Sequence, residues 1–188
     1  MKRIGLCACI LTLLLISGCG SHEKNARDWR QFRENINSAQ ALSMKVEVTA
    51  DIGGKVMTYT LAYTESGGES SVEVLAPELI AGIRARFSES GAALEYDGLV
   101  LDTGEPAPDG LTPISALPAL AGAFRSGHVE SLGSEISDGV AMLTADVLIS
   151  ESSAARIWLD AASRAPLCAE IRSGGRVIVR CEFLESQF

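Results

Sequence analysis

Few side chains in this 188-residue sequence have a type and spacing that could support catalysis or metal binding. Its two histidines are His22 and His128, and His128-Val129-Glu130 offers two ligands where a transition-metal site needs three or four. Nucleophile-elbow, zinc-protease and phosphate-loop motifs are missing, and the acids lack calcium-loop spacing. We therefore predict a protein that is not an enzyme, with no metal site and no cofactor. A hydrolase built on two unmarked carboxylates is the alternative.

One cysteine does lie in a pattern with its own chemistry. A basic pair precedes the apolar run 6–16, which is typical of a secretory signal. Eleven residues span about 16 Å as a helix against about 30 Å of hydrocarbon, which disfavours a transmembrane segment. Ile16-Ser17-Gly18-Cys19 resembles the lipobox of bacterial lipoproteins. The resemblance implies a cleaved signal peptide, residues 1–18, and acyl chains such as palmitate on Cys19, the lipid anchor.

The anchor also predicts where the protein lies and what it avoids. Residues 20–27 reach at most about 28 Å, so 19–27 are a lipidated tether that holds the domain 28–188 close to a bacterial membrane, on its extracytoplasmic side. The chain has a net charge of −8, and loss of Lys2 and Arg3 with the signal leaves −10. A charge of this sign makes nucleic acid an unfavourable partner.

The first predicted element of the domain is an amphipathic helix at 28–40. Trp29, Phe32 and Ile36 form one apolar stripe on it. Such a stripe fits either a helix on a membrane surface or a helix packed on a core. We favour the core, because the sheet that follows needs a cover.

From Met44 onward the apolar period changes to two, which indicates antiparallel strands. About nine strands in one meandering sheet must curl, because strand twist accumulates. The Asp97-Gly98 turn predicts a type I′ hairpin that pairs Tyr96 with Leu99 and Leu94 with Leu101 on one face. The predicted strand segments are 44–52, 56–63, 70–76, 83–88, the two arms of 94–101, 141–149, 154–160, 167–172 and 176–183.

A helical stretch at 111–125 interrupts the strands. Thr112 suits the N-cap and Pro113 the first helical position, whereas Pro118 should kink or split the helix. Its apolar side must pack against the sheet. That side carries Ile114, Leu117, Leu120 and Phe124.

In this order the segments resemble the LolA/LolB-like lipoprotein-carrier superfamily, GerS-like anchored relatives included. The matching pieces are the helix and strand at 29–52, the strand ending at 74–78, the hairpin around 96–98, the lid at 111–117 and the hairpin 157–167 closing on Glu182-Phe183. The resemblance implies a mainly β (α+β) fold: a strongly curved antiparallel half-barrel covered by the N-terminal helix and a short helical lid. It implies an apolar cavity for acyl chains or a protein partner, and no catalytic residues.

The resemblance leaves two functions open. One is a non-catalytic module that holds a lipophilic ligand or a lipoprotein acyl chain in the half-barrel cavity. The other is a protein-binding accessory factor of the cell envelope, such as a partner of a cell-wall hydrolase. We expect the lining to combine the four apolar lid residues named above with Met57, Tyr59, Phe87 and Leu94 from strands.

Cys168 and Cys181 allow two interpretations that depend on strand register. A two-residue turn at Gly174-Gly175 sets the cysteines opposite each other, at bridging distance. A three-residue loop pairs Leu167 with Cys181 and Ala169 with Val179, which are apolar, and puts the cysteines on opposite faces. We lean towards the second arrangement, without a disulfide.

The hairpin of the predicted strands 154–160 and 167–172 places Trp158 on the convex face, beside Cys168 and away from the lid. It sets Arg156 opposite Glu170, a charged pair that belongs on the solvent side. Trp158 then either covers local apolar surface or anchors a partner, since exposed tryptophan is enriched at interfaces. We favour the local role.

Overall fold

The computed structural model describes residues 19–52, 54–88, 91–104 and 111–188, so the predicted signal peptide lies outside the described residues. Eleven antiparallel strands of the described chain form one sheet. The strands are β1 (Ala41–Ile52), β2 (Lys55–Ser66), β3 (Glu69–Ala76), β4 (Arg84–Ser88), β5 (Gly91–Tyr96), β6 (Leu99–Gly104), β7 (Val129–Ser137), β8 (Val140–Leu148), β9 (Ser153–Asp160), β10 (Pro166–Ser173) and β11 (Arg176–Gln187).

The first and last strands meet in the middle of this sheet. The strand order is β6-β5-β4-β3-β2-β1-β11-β10-β9-β8-β7, so the first and last strands are neighbours and β6 and β7 are the edges. All other sequential strands pair as antiparallel neighbours, whereas β6 and β7 lie at opposite edges and are connected through the second long helix. The sheet stays open, and the prediction of a mainly antiparallel half-barrel with two helices is confirmed.

One strand, β7, was not predicted from the sequence. β7 carries Val129, Leu132 and Ile136 at irregular spacing among glycine, serine and glutamate, and most of its side chains are exposed. Because few of its side chains pack against other elements, the sequence of β7 alternates only weakly between apolar and polar residues. Its pairing with β8, such as Leu132 opposite Ala145, comes from tertiary context.

Helix α1 (Cys19–Ser38) begins earlier than the predicted start at Asp28. Its stripe of Trp29, Phe32 and Ile36 is buried in the core, which confirms the core interpretation. Within the described residues, neither long helix combines the length and apolar composition needed to cross a membrane.

Helix α2 (Pro113–Ser126) is the predicted lid. The hydroxyl of Thr112 accepts from the Ser115 N–H and the Ser115 hydroxyl accepts from the Thr112 N–H, a complete capping box. The expected split at Pro118 is wrong, because one helix runs through that residue. Leu117 and Leu120 on either side are fully buried, and their burial offsets the hydrogen bond that proline removes.

An aromatic cluster joins both helices to the sheet. The ring of Phe32 meets that of Phe124 edge-on at 5.4 Å between centroids, and Phe124 lies 6.0 Å from Phe183 of β11. Such tilted pairs stabilise a core beyond the apolar area they bury. The contacts fix α1 and α2 over the centre of one sheet face, which we call the inner face.

The β10–β11 hairpin combines features of both predicted registers. It closes with a two-residue turn, Ser173 opposite Arg176, so the expected three-residue loop is wrong. A bulge then shifts the register and sets Ala169, not Leu167, opposite Cys181. Cys168 faces Glu182 instead, and both thiols are free. The prediction of cysteines on opposite faces without a bridge is confirmed.

Candidate binding face of the half-barrel

The strand register extends the inner face from the core to the β6 edge. Buried Val72 of β3 lies opposite Ala85 of β4, which lies opposite Leu94 of β5. Leu94 in turn lies opposite Leu101 of β6. Directly opposed residues share a face, so all four side chains belong to the inner face.

The helices cover only the middle of this face. Of the predicted lining residues, Leu117, Leu120 and Phe124 have no solvent exposure and pack in the main core. Tyr59, Phe87 and Ile114 are partly buried against the same core. The region directly beneath α2 is therefore filled by side chains.

Beyond the helices the inner face stays apolar but uncovered. Met57 is 43% exposed, Tyr96 48%, Leu99 76% and Leu101 64%. We call this surface the open trough: Met57, Tyr59, Leu94, Tyr96, Leu99 and Leu101. It lies towards the end of the sheet that holds the β1–β2 and β5–β6 turns.

The open trough unites three predicted lining residues with three that the sequence reasoning left out. Met57 and Tyr59 touch, since the Tyr59 hydroxyl donates to Met57 Sδ at 3.4 Å. Tyr96, Leu99 and Leu101 were placed on one hairpin face by the Asp97-Gly98 turn. Asp97 has φ 50° and Gly98 φ 77°, as a type I′ turn requires. The hairpin pattern could therefore have identified them.

Two arginines fasten α2 at its C-terminal end. Arg33 of α1 donates to the carbonyls of Phe124 at 3.2 Å, Ala123 at 3.3 Å and Gly127. The Ala123 carbonyl also accepts from the Gly127 N–H at 3.1 Å, and the guanidinium adds charged donors at this C-terminal end of the helix, where it acts as a cap. Because burial disfavours the charged form, it lowers the pKa of Arg33 from its usual value.

Arg125 makes the second attachment. It donates to the Ile36 carbonyl of α1 at 2.8 Å and forms an ion pair with Glu65 of β2 at 2.9 Å. The buried Tyr63 hydroxyl donates to the same carboxylate at 2.7 Å. Burial and this acceptor raise the pKa of Tyr63 well above its usual range. The lid is therefore held by polar contacts as well as by its apolar side.

Trp158 lies half-buried on the outer face. Its indole N–H donates to Glu135 at 2.9 Å, and the Arg156 guanidinium lies 5.3 Å from its ring centroid. The Trp158 hydrogen bond, together with Arg156, lowers the pKa of Glu135. The predicted pairs Trp158 with Cys168 and Arg156 with Glu170 are confirmed. These contacts satisfy the indole within the sheet.

A cavity of about 480 Å³ lies on the same outer side, near β2 to β5. Serine and threonine hydroxyls line it together with Arg84 and Arg86. Arg84 pairs with Glu73 at 2.5 Å and Arg86 with Glu95 at 3.0 Å, so neighbouring carboxylates balance both guanidinium charges. In the described part of the chain, no three His, Cys, Asp or Glu side chains converge to hold a metal ion.

Solved structures share this architecture. A candidate outer membrane lipoprotein-sorting domain from Vibrio parahaemolyticus aligns with 86% of this chain and 91% of its own, at 12% identity and a TM-score of 0.50. A DUF1329 family protein from Desulfovibrio piger aligns over 89% and 93%, at 11% identity and a TM-score of 0.52. An uncharacterized conserved protein from Thermus thermophilus aligns over 86% of each chain, at 11% and 0.52.

No family profile and no curated protein sequence matches the chain. At 11–12% identity the likeness to solved structures is one of fold alone. The order of helix, curved antiparallel sheet and helical lid nevertheless agrees with the resemblance found in the sequence. The chain has a LolA-like half-barrel fold.

Proposed function

We propose that this protein is a lipid-anchored, extracytoplasmic binding module that holds an apolar chain, from a lipid or a lipoprotein, in the open trough. The observation that carries the proposal is the exposure of Met57, Tyr96, Leu99 and Leu101 on the face that elsewhere forms the core. Burial of one such side chain contributes about 1.5–3 kcal/mol. A ligand that covers several of them gains enough to bind.

The shape of the trough supports a chain-like ligand. Its residues lie on β2 and on the β5–β6 hairpin, with β3 and β4 between them, so a ligand that contacts both groups must extend across the sheet by about 14 Å. The lid is fixed by Arg33 and Arg125, so a ligand reaches the open trough beside α2 and leaves the helix in place. Catalysis is not part of the proposal.

The anchor is the second part of the proposal. Cys19 would carry the acyl chains that attach the domain to the outer side of a bacterial membrane. Two or three chains on one residue give near-permanent attachment, since each buried CH₂ adds about 0.8 kcal/mol. Metabolic labelling with palmitate tests this: wild type should incorporate label and Cys19→Ala should not. Equal labelling would contradict the anchor.

An environment-sensitive probe tests the trough. N-phenylnaphthylamine should brighten when mixed with wild type, and Met57→Asp and Tyr96→Asp should each weaken its binding several-fold. Ile136→Asp is the matched control, because Ile136 is 79% exposed but lies on β7 at the opposite edge. Equal binding by all four proteins would overturn the trough as the site.

A protein-binding accessory factor is the second candidate. The observation that favours it is the filled space under α2, where Leu117, Leu120 and Phe124 are fully buried. A carrier with an enclosed cavity needs open volume there. Probe binding that fails in wild type, with stable association of an envelope protein, would favour this candidate over the first.

A further inference from the structure

We propose that the free edge of β6 is a docking site for an extended strand of a protein partner, with apolar residues flanked by lysine or arginine. The partner strand would extend the sheet through backbone hydrogen bonds, a recurring mode of peptide recognition. The site shares Leu99 and Leu101 with the open trough, but it differs from the trough in using the strand edge and Val100 on the outer face.

The first support is the exposure of three consecutive apolar residues. Leu99 is 76% exposed, Val100 69% and Leu101 64%. Leu99 and Leu101 belong to the inner face and Val100 to the outer face. Apolar side chains on both faces are typical of a strand that has neighbours on all sides. The first half of β6 therefore has the composition of an internal strand at the position of an edge strand, and its one charged residue, Asp102, follows that half.

The opposite edge shows how this fold protects a free strand. β7 carries Glu130 and Glu135, and it contains Gly133 in its middle. Charges and interrupted apolar patterns are the usual devices that prevent edge-to-edge association. The three apolar residues of β6 have no charge among them. This difference between the two edge strands supports the pairing of a partner strand with β6.

The backbone of β6 can provide the hydrogen bonds. Tyr96 lies opposite Leu99 across a two-residue turn, and Leu94 opposite Leu101. In an antiparallel ladder, residues alternate between those bonded to the neighbouring strand and those whose N–H and C=O point away. Leu99 and Leu101 are the residues bonded to β5, and Val100 lies between them. Its N–H and C=O therefore point towards the free edge.

Charge determines which occupant fits. Between Arg86 and Arg125 the sequence has six carboxylates and no basic residue: Glu89, Glu95, Asp97, Asp102, Glu105 and Asp109. Glu95 is paired with Arg86, which leaves five that no basic residue of this segment can balance. An apolar stripe within an acidic segment attracts basic flanks and repels anionic headgroups. A second copy would bring the same acidic segment against itself, in a chain that already has a net charge of −8.

The experiment measures anisotropy of a labelled peptide, Lys-Lys-Val-Thr-Val-Leu-Val-Lys-Lys, against the purified full chain. We expect saturable binding that weakens with added salt, and at least tenfold weaker binding when glutamates replace the lysines. Val100→Pro removes the outward N–H, and proline is tolerated at an edge where that N–H faces solvent. It should weaken binding at least tenfold.

Val100→Lys gives a second test that needs no backbone change, and it should weaken binding similarly by repulsion. Ile136→Lys, the matched substitution on β7, should leave binding unchanged. Unchanged binding by both Val100 variants, or equal binding of the acidic peptide, would overturn the proposal. So would sedimentation showing a dimer that Val100→Lys dissociates, or attachment to phosphatidylglycerol vesicles that this variant loses.

The two proposals can fail separately. Val100 faces away from the open trough, so its variants should bind N-phenylnaphthylamine like wild type. Met57→Asp, in turn, should bind the basic peptide normally. Loss of both ligands in all variants would indicate unfolding, which circular dichroism of each variant detects before binding is measured.

Discussion

Arg125 of the lid helix and Glu65 of β2 form an ion pair of 2.9 Å, with about a quarter of each side chain exposed. The pair joins two elements that are distant in sequence, and Tyr63 and the Ile36 carbonyl add hydrogen bonds to it. Because the network is partly shielded from water, its loss costs more than that of a surface pair. The lid is therefore a structural element of the half-barrel.

Arg125→Ala should lower the free energy of unfolding by about 1–3 kcal/mol, because the Ile36 carbonyl and Glu65 lose a charged donor. Urea denaturation of the variant measures the loss. Arg176→Ala, at an exposed position beside the β10–β11 turn, is the matched control and should change stability little. A loss equal to that of the control would mean that the ion pair contributes nothing.

Phe124→Ala should cost about 3–5 kcal/mol, because the ring is fully buried between Phe32 and Phe183. Thermal unfolding gives the measurement. If the lid opened freely, truncation of this side chain would lower the free energy of unfolding far less. A change below about 1 kcal/mol would thus contradict the packed position of α2.

Alkaline pH should weaken the fold. Burial raises the pKa of the Cys181 thiol to about 12, so its contribution to stability is complete below the unfolded value of about 8.5 and declines as pH rises towards 12. We expect urea midpoints to fall between about pH 8.5 and 9.5, with a smaller fall for Cys181→Ala. An equal fall in the urea midpoint of wild type and Cys181→Ala would contradict the contribution of the Cys181 thiol.

Thiol reactivity should separate the two cysteines. Burial also raises the pKa of the half-buried Cys168, but Cys181 lies fully in the core. Under native conditions a thiol reagent should label Cys168 slowly and Cys181 only on unfolding. Mass spectrometry of material kept under oxidising conditions should find two free thiols. A Cys168–Cys181 bridge would refute the register of β10 and β11.

Trp158→Phe should lower stability by less than about 1 kcal/mol, since the lost hydrogen bond to Glu135 lies at a partly exposed site. Because these contacts lower the pKa of Glu135, this small contribution should be complete above the ordinary glutamate pKa of about 4.3 and should decline as pH falls below it. Comparing the two proteins at pH 7 and pH 3 checks it. A loss of several kcal/mol would show that the indole supports more than its local contacts.

The sequence predicted the elements whose patterns are set locally. The alternation of Met44, Val46 and Val48, the cap at Thr112 and the Asp97-Gly98 turn each follow from the residues that adopt them. The inner face of the β5–β6 hairpin was predicted for the same reason. These local signals determined most of the fold class.

The remaining features depend on contacts that are distant in sequence. The continuation of α2 through Pro118 requires the core beneath the helix. Strand β7 forms because its backbone pairs with β8. The bulge between β10 and β11 aligns Cys181 with Ala169, which no turn rule specifies. Burial of Leu117 and Leu120 likewise depends on how closely α1 approaches, so the trough lies beside the lid and not beneath it.

Native mass spectrometry of the protein extracted from membranes in a mild detergent, which is removed in the gas phase, tests the central claim most directly. We predict wild-type protein carrying one noncovalent lipid in addition to any covalent acyl chains, and Leu101→Glu purified in parallel without that lipid. Wild type consistently free of noncovalent lipid, or a variant that retains it as well as wild type does, would contradict ligand binding in the open trough.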